Sequence, residues 1–171
     1  MSTISTSMTR VLGIDPGTAT VGWSILESAS NTPTAIAYGH IETPADDPMP
    51  KRLQTIHDDI THLIEKYQPS DVAVEELFFF KNHKTVITVA EARGVTLLAA
   101  QRANCVIGEY TPLQIKQSLT SYGRADKKQM QETVVSVLKL DEIPKPDDTA
   151  DALAIALCHI NTKKFAELTN Q

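Results

Sequence analysis

Short apolar segments, first in close succession and then alternating with helical patterns, most constrain the fold of this chain. Val11–Ile14, Val21–Glu27 and Thr34–Ile41 have the pattern of strands joined by short connections, which favours an antiparallel meander. Asp71–Glu75 and Val106–Glu109 follow as strands separated by helical patterns. This order predicts an α/β fold with a five-stranded mixed sheet, its first three strands antiparallel, and helices on both faces.

Apolar residues at helical spacing predict five helices. They cover residues 50–67, residues 83–102, a short stretch from Thr111 or Pro112 to about Leu119, a stretch that begins after Asp126 as N-cap, and a last one from about Asp148 to Thr162. The apolar positions of residues 83–102 go nearly all the way around, so this helix must be covered on more than one side. A subunit interface and a central helix of a monomer both explain that pattern.

The length of 171 residues suits one domain with a full-sized core. No run of about 18 apolar residues predicts a transmembrane helix, and the Ser/Thr-rich start lacks the apolar segment of a secretory signal. We therefore expect a cytoplasmic protein with one domain over residues 10–162, a disordered tip at 1–9 and a tail at 163–171. Cys105 and Cys158 lie in apolar segments, which indicates buried, reduced thiols.

The net charge of -5 is unevenly distributed along the chain. Residues 1–80 hold 4 Lys and Arg against 11 Asp and Glu, and residues 140–171 hold 3 against 6. Residues 81–139, in contrast, hold 9 Lys and Arg against 4 Asp and Glu. A basic region between two acidic ones suits a polyanion held over a metal site. A solvated helix face that carries lysines explains the same distribution.

Four carboxylates stand where the predicted elements would bring them together. Asp15 ends the first strand before a Pro-Gly pair, Glu75 ends the fourth strand, and Asp148 and Asp151 open the last helix. Parallel neighbouring strands end at one edge of a sheet, and acids three residues apart share one helical face. Crowded carboxylates repel unless a cation lies between them, and their oxygens suit Mg²⁺ or Mn²⁺. The pattern therefore predicts a divalent metal site and phosphate chemistry.

Each acid also has a simpler explanation. Asp15 suits an Asp-Pro-Gly turn, Glu75 suits an ordinary strand end, and Asp148 suits a helix N-cap with Asp151 in the first turn. If the strand alternates, Glu75 and Glu76 point to opposite sides, so only one of them joins the site. The metal site is the favoured interpretation, because all of the simpler explanations would have to hold together for it to be absent.

Aromatic and basic residues follow the fourth strand directly. Phe78, Phe79 and Phe80 stand in a row, so they cannot all face one core, and Lys81 and Lys84 come next. An exposed aromatic ring beside a metal site can stack on an unpaired base, and lysines attract the phosphate backbone. This segment is therefore predicted to contact nucleic acid.

Taken together, these motifs give the chain a resemblance to the RuvC family of Holliday-junction resolvases. The segments that carry it are Gly13–Gly17, Ala73–Asn82, Ala92–Val95 and Asp148–Ala156, within about residues 10–162. The resemblance implies a ribonuclease H-like fold and a homodimer that cuts two strands of a four-way DNA junction. It further implies two Mg²⁺ ions per active site, with Mn²⁺ as a substitute, and the RuvA–RuvB branch-migration complex as a partner.

The family motifs also imply which residues do the work. The metal-binding catalytic acids would be Asp15, Glu75, Asp148 and Asp151. Phe78, Lys116 and Lys127 match DNA-contacting residues of the family, and the basic residues predicted to join them are Lys81, Lys84, Arg124 and Lys128. The helix over residues 83–102 matches the family's subunit-contact helix. The implied products are a 5′-phosphate and a 3′-hydroxyl.

Three rival functions share parts of the pattern. An actin-like ATPase or sugar kinase has a similar Gly-Ile-Asp-x-Gly motif but needs two such domains, for which this chain is too short. A non-catalytic relative of the resolvase fold would not need all four acids. A YqgF-type nuclease shares the fold, but the matches at Glu75–Asn82 and Asp148–Ala156 favour the RuvC family.

Overall fold

Five strands form one mixed sheet in the computed structural model, which describes residues 8–29, 32–77, 83–120 and 123–169. The strands are β1 (Thr9–Asp15), β2 (Thr20–Ala29), β3 (Thr32–Glu42), β4 (Asp71–Glu75) and β5 (Val106–Tyr110). Their order across the sheet is β3-β2-β1-β4-β5. β1, β2 and β3 pair antiparallel, whereas β4 runs parallel to both β1 and β5. The predicted five-stranded mixed sheet is therefore confirmed.

The five predicted helices are all present in the described part of the chain. They are α1 (Met49–Tyr67), α2 (His83–Arg102), α3 (Pro112–Thr120), α4 (Lys127–Leu138) and α5 (Asp147–Thr169). Asp126 is the N-cap of α4, as predicted: its carboxylate accepts a hydrogen bond of 2.8 Å from the backbone N–H of Gln129. The Gln129 side chain in turn accepts the backbone N–H of Asp126, which completes a capping box.

The last helix begins earlier and ends later than predicted. Asp147 is its first residue, so Asp148 lies in the first turn and is not the N-cap. The helix continues to Thr169, beyond the end predicted near Thr162. Phe165 and Leu168 lie at helical spacing in these extra turns, but both are exposed, so no buried face extends along this part of the helix.

Helices cover both faces of the sheet, as predicted. α3, α4 and α5 pack on one face around buried residues such as Val11 and Leu153, and α1 and α2 pack on the other around Leu12 and Ile60. Successive residues of β1 therefore serve opposite layers. β4 is buried from Asp71 to Val74, as expected for a parallel strand that is covered on both faces.

Smaller predictions concern the chain ends and the cysteines. β1 already includes Thr9, which the sequence assigned to a disordered tip, and residues 1–7 lie outside the described ranges. Cys105 and Cys158 are both free thiols; the second is buried and the first only partly so. No helix in the described residues is long and apolar enough to cross a membrane. The domain limits at residues 10 and 162 stay a prediction.

Candidate active site

The four predicted acids come to one edge of the sheet. Asp15 and Glu75 are the last residues of β1 and β4, and the parallel pairing of these strands runs to the residue before each acid. Asp148 and Asp151 lie at the start of α5. All four residues are half-buried. The charges of the other three acids all act on Asp15, as expected for a cluster.

Two glycines allow α5 to approach the sheet closely enough to deliver its acids. A Cβ atom on Gly22 of β2 would overlap the carbonyl oxygen of Asp148, and one on Gly13 of β1 would overlap that of Ala152. Ser24 of β2 donates a hydrogen bond of 2.9 Å to the same Ala152 carbonyl. A side chain at either glycine would push the start of α5 away from the strand ends, and the acids with it.

Burial and repulsion from neighbouring carboxylates raise the pKa values of Asp15, Glu75 and Asp151. Burial, with added repulsion from Glu75, Asp151 and Asp148, raises the pKa of Asp15 to about 8. Burial and the charge of Asp151 raise the pKa of Glu75 to about 7. Burial also raises the pKa of Asp151, although the positive charge of Lys127 opposes it. These three acids therefore retain their protons to a higher pH than exposed carboxylates do.

Two lysines face these acids. The Nζ atom of Lys127 lies 3.6 Å from a carboxylate oxygen of Asp151 and 2.9 Å from one of Asp147. Lys116 is close enough to Glu75 for its charge to oppose the rise in that pKa. Both lysines border a cleft of about 240 Å³ together with Glu75 and Asp151. Acids and lysines on one cleft suit a phosphate group held beside a cation.

Glu75, rather than its neighbour Glu76, borders this cleft. Glu75 is the last residue of β4 and lines the cleft with Asp151. Glu76 follows the strand, and its backbone N–H donates a hydrogen bond of 2.8 Å to the carbonyl of Tyr110. A larger cleft, of about 460 Å³, lies between α1 and α2 and is lined by none of the four acids.

The acids match a hard divalent cation in their chemistry. Their oxygens come from three elements, and a cation would offset the burial and the repulsion that together raise the pKa of Asp15. Within the described residues, however, no group of three Asp, Glu, His or Cys side chains already stands in metal-binding geometry. Lys127, beside Asp151, supplies part of the missing positive charge. The acids thus fit a divalent cation in ligand type, although their side chains are not arranged as a ligand shell in this structure.

The structure describes only some of the other residues predicted to contact DNA. Phe78 and Lys81 lie outside the described residues, and Lys84 lies in the first turn of α2 with its side chain outside the described part. Arg124 is exposed just before α4, and Lys128 is exposed within it. All five stay predictions.

Two residues that lie near the site, Asp147 and Arg93, were not identified from the sequence. Asp147 pairs with Lys127 at 2.9 Å and accepts a hydrogen bond of 3.1 Å from Gln131, so it helps to hold the lysine in place. Arg93 donates a hydrogen bond of 3.1 Å from Nε to the backbone carbonyl of Glu75. Arg93 lies in a segment that carried the family resemblance, which was the only signal for it.

Comparison with known proteins shows the family. The family model described as crossover junction endodeoxyribonuclease RuvC matches residues 11–159. The crossover junction endodeoxyribonuclease RuvC of Finegoldia magna is 54% identical over 159 residues, which cover 93% of this chain and 97% of the relative. The matched residues include all four acids.

Solved structures of this family share the fold. The Thermus thermophilus RuvC structure matches with a TM-score of 0.85 at 32% identity, over 92% of this chain and 97% of that one. The T. thermophilus RuvC in complex with Holliday junction substrate matches with a TM-score of 0.83 at 31% identity, over 92% and 96%. The family match and the identity to the Finegoldia magna relative favour the resolvase over the rival ATPase and YqgF-type functions. The chain belongs to the RuvC family of crossover junction endodeoxyribonucleases.

Proposed function

We propose that this protein is a structure-specific endonuclease that resolves Holliday junctions by paired nicking of two strands, in DNA recombination and repair. The observation that carries the proposal is the convergence of Asp15, Glu75, Asp148 and Asp151 in a chain of the RuvC family. The T. thermophilus relative in complex with Holliday junction substrate supports the same substrate here.

The four acids are proposed to hold divalent cations. Two Mg²⁺ ions, or Mn²⁺ as a substitute, suit Asp15, Glu75, Asp148 and Asp151 in charge and in ligand type. When bound, such ions activate a water molecule for attack and stabilise the leaving 3′ oxygen. The water would lose a proton to solvent as its oxygen bonds to phosphorus and the bond from phosphorus to the 3′ oxygen breaks. The 3′ oxygen would take up a proton, which leaves a 5′-phosphate and a 3′-hydroxyl.

Basic residues are proposed to hold the DNA. Lys116 and Lys127 border the cleft beside Glu75 and Asp151, where a positive charge favours the phosphate and the negative charge that develops on it. The residues proposed to extend the contact are Phe78, Lys81, Lys84, Arg124 and Lys128. Since phosphate contacts dominate such binding, junction affinity should fall steeply with salt.

The exposed face of α2 supports a homodimer. Ile87 and Leu98 are 63% and 51% exposed, and they lie about three turns apart on one side of the helix. Gly94 lies between them, with open space where its Cβ would be. A row of exposed apolar residues with a glycine between them suits contact with a second copy of the same helix. A dimer also supplies the two active sites that paired nicking needs. The RuvA–RuvB complex is the proposed partner, as the resemblance implies.

A synthetic four-way junction tests the proposed function. The protein is incubated in Mg²⁺ with the junction and, separately, with a linear duplex of the same sequence. We expect two symmetrically placed nicks in the junction, with ends that a ligase can seal, and no cutting of the duplex. Equal cutting of the duplex, or ATP hydrolysis without DNA cleavage, would refute the proposal.

Replacing Leu98 by Glu should separate the subunits. The new carboxylate would replace apolar contact and would face its own copy across the proposed interface. Sedimentation should show a monomer where the wild-type protein is a dimer, and junction nicks should become unpaired. Leu168→Glu is the matched control, because Leu168 is also exposed but lies near the end of α5. A Leu98→Glu variant that remains dimeric would contradict the proposed interface.

Metal affinity should rise with pH. Since the pKa values of Asp15 and Glu75 are raised to about 8 and about 7, both acids hold protons at pH 6 that a metal must displace. Each such proton weakens the apparent affinity about tenfold per pH unit below its pKa. Calorimetric titration with Mn²⁺ should therefore show a steep rise from pH 6 to 7, a shallower one to 8, and little change above. Constant affinity across this range would show that these acids do not bind the metal.

A further inference from the structure

We propose that Arg93 of α2 is a positioning residue, which fixes the end of β4 so that the Glu75 carboxylate is held in place to bind metal. The inference rests on the proposed function, because it concerns the same metal site. Arg93 does not itself touch the cleft-lining carboxylate; it acts on the backbone that carries it.

The Arg93 side chain bridges the ends of two neighbouring strands. Its Nε atom donates a hydrogen bond of 3.1 Å to the carbonyl oxygen of Glu75 in β4. Its guanidinium group also forms an ion pair with Glu109 of β5. Glu109 lies opposite Val74 in the pairing of β4 with β5, so Arg93 meets both strands at the same level of the sheet.

A guanidinium group suits this place better than an ammonium group. Its planar set of donors can serve a carbonyl and a carboxylate at the same time and in fixed directions, whereas a lysine presents a single point charge. Only 18% of the Arg93 side chain is exposed, so water competes little for its bond to the Glu75 carbonyl, whereas the Glu109 side chain is 44% exposed. Hydrogen bonds to a charged donor are also stronger than neutral ones.

The end of β4 is where such a bond has the largest effect. The strand is buried up to Val74, where its pairing with β1 stops, and Glu75 is only half-buried. Pairing with β5 and the bond from Arg93 therefore hold Glu75 where support from β1 has ended. Residues that orient a metal ligand in this way typically change metal affinity or activity about 10–100-fold.

Two substitutions of Arg93 test the role with measurements that do not depend on cleavage. Mn²⁺ affinity is measured by calorimetry on the protein without DNA, and junction affinity is measured without metal. For Arg93→Gln we expect a loss of Mn²⁺ affinity of about tenfold or more, with unchanged junction affinity. The Mg²⁺ concentration for half-maximal cleavage should rise in parallel. Arg93→Lys should lose less, because it keeps the charge and one donor.

Variants elsewhere separate this role from general effects. Arg102→Gln, at the exposed end of the same helix, should bind Mn²⁺ as the wild-type protein does. Glu109→Gln should cause a smaller loss than Arg93→Gln, since it removes the ion pair and leaves the bond to Glu75. Circular dichroism identifies any variant that fails to fold.

Several outcomes would overturn the inference. Unchanged Mn²⁺ affinity in a folded Arg93→Gln protein would do so, and if that variant does not fold, unchanged affinity in Arg93→Lys would do so instead. An equal loss in Arg102→Gln would also overturn it, because the effect would then be general. A wild-type protein that binds Mn²⁺ but cuts no junction would refute the proposed function, while the effect of Arg93 on metal affinity would still be measured.

Discussion

Replacing Asp15 by Asn should abolish junction cleavage and leave junction binding intact. The amide keeps the size of the carboxylate but removes the charge that would hold a divalent cation at the end of β1. A bound metal contributes several kcal/mol to the transition state, and each 1.36 kcal/mol is a factor of ten, so the rate should fall about 1,000-fold or more. Single-turnover cleavage in Mg²⁺ and a binding assay without metal measure the two effects separately.

The same substitution should stabilise the metal-free protein. Because the pKa of Asp15 is raised to about 8, the folded state keeps a proton that the unfolded chain releases, so stability falls as pH rises from about 4 to 8. Asn does not ionise, so the gain over wild type should grow as pH rises through this range and reach its full size above pH 8. For a chain of this length, each kcal/mol gained raises Tm by about 2–4 °C. A gain in stability with a loss of activity marks an acid that is present for function.

Asp59→Asn is the matched control for this experiment. Asp59 is exposed on α1, away from the cluster at the strand ends, so both activity and Tm should remain those of the wild-type protein. An Asp15→Asn variant that cuts at the wild-type rate in Mg²⁺ would refute the metal-binding role. A variant with a lower Tm at pH 8 would instead show that the charged carboxylate stabilises the fold.

Local pattern was enough to predict the elements that have strong apolar signals. The helix predicted over residues 83–102 is α2 with those same bounds, because an apolar-rich stretch of 20 residues without proline is too long for a strand or a loop. The end of α5 was missed for the opposite reason. Its last turns are exposed, and their residues carry no burial pattern to distinguish a helix from a tail.

The predicted topology was enough to infer that the four acids lie together, but it could not show how closely α5 lies against the sheet. Strand order and direction place Asp15 and Glu75 at one edge. The fit of α5 depends on Gly13 and Gly22, and on a Ser24 bond to a carbonyl 128 residues away. Such a contact has no local signature, because each partner alone is compatible with many neighbours. The hydrogen bond from Arg93 to the backbone of Glu75 could not be predicted from sequence for the same reason.

Replacing Asp71 by Asn should strongly destabilise the protein. Asp71 is 1% exposed at the start of β4, and its Oδ2 atom lies 2.7 Å from Nε2 of His159 and 2.6 Å from Nζ of Lys163. Nδ1 of His159 lies 2.8 Å from the hydroxyl of Tyr110. This network joins α5 to the start of β4 and the end of β5. It also accounts for the burial of His159, whose two ring nitrogens both have partners in the network.

The hydrogen-bond network around Asp71 depends on the negative charge of its carboxylate. Burial by itself would raise the pKa of Asp71, but hydrogen bonds from Lys163 and His159 outweigh it and lower the pKa. The carboxylate therefore stabilises the fold at neutral pH, and this stabilisation is lost only as pH falls below the ordinary value of 3.8. An amide leaves Lys163 without its counter-charge. Breaking a buried ion pair costs about 3–5 kcal/mol, and the lower end applies because Lys163 is partly exposed and screened.

Urea unfolding at pH 7.5 measures the cost, with Asp59→Asn as the control. If Asp71 and Lys163 act as a pair, Lys163→Met should cost less in the Asp71→Asn protein than in the wild type. A loss within about 0.5 kcal/mol, as for ordinary surface substitutions, would contradict the prediction. Because Asp71 begins β4 and Glu75 ends it, the folded variant should still cleave junctions. Asp71 and Asp15 are thus expected to behave in opposite ways: one acid stabilises the fold at neutral pH, and the other destabilises it at the site where the chemistry occurs.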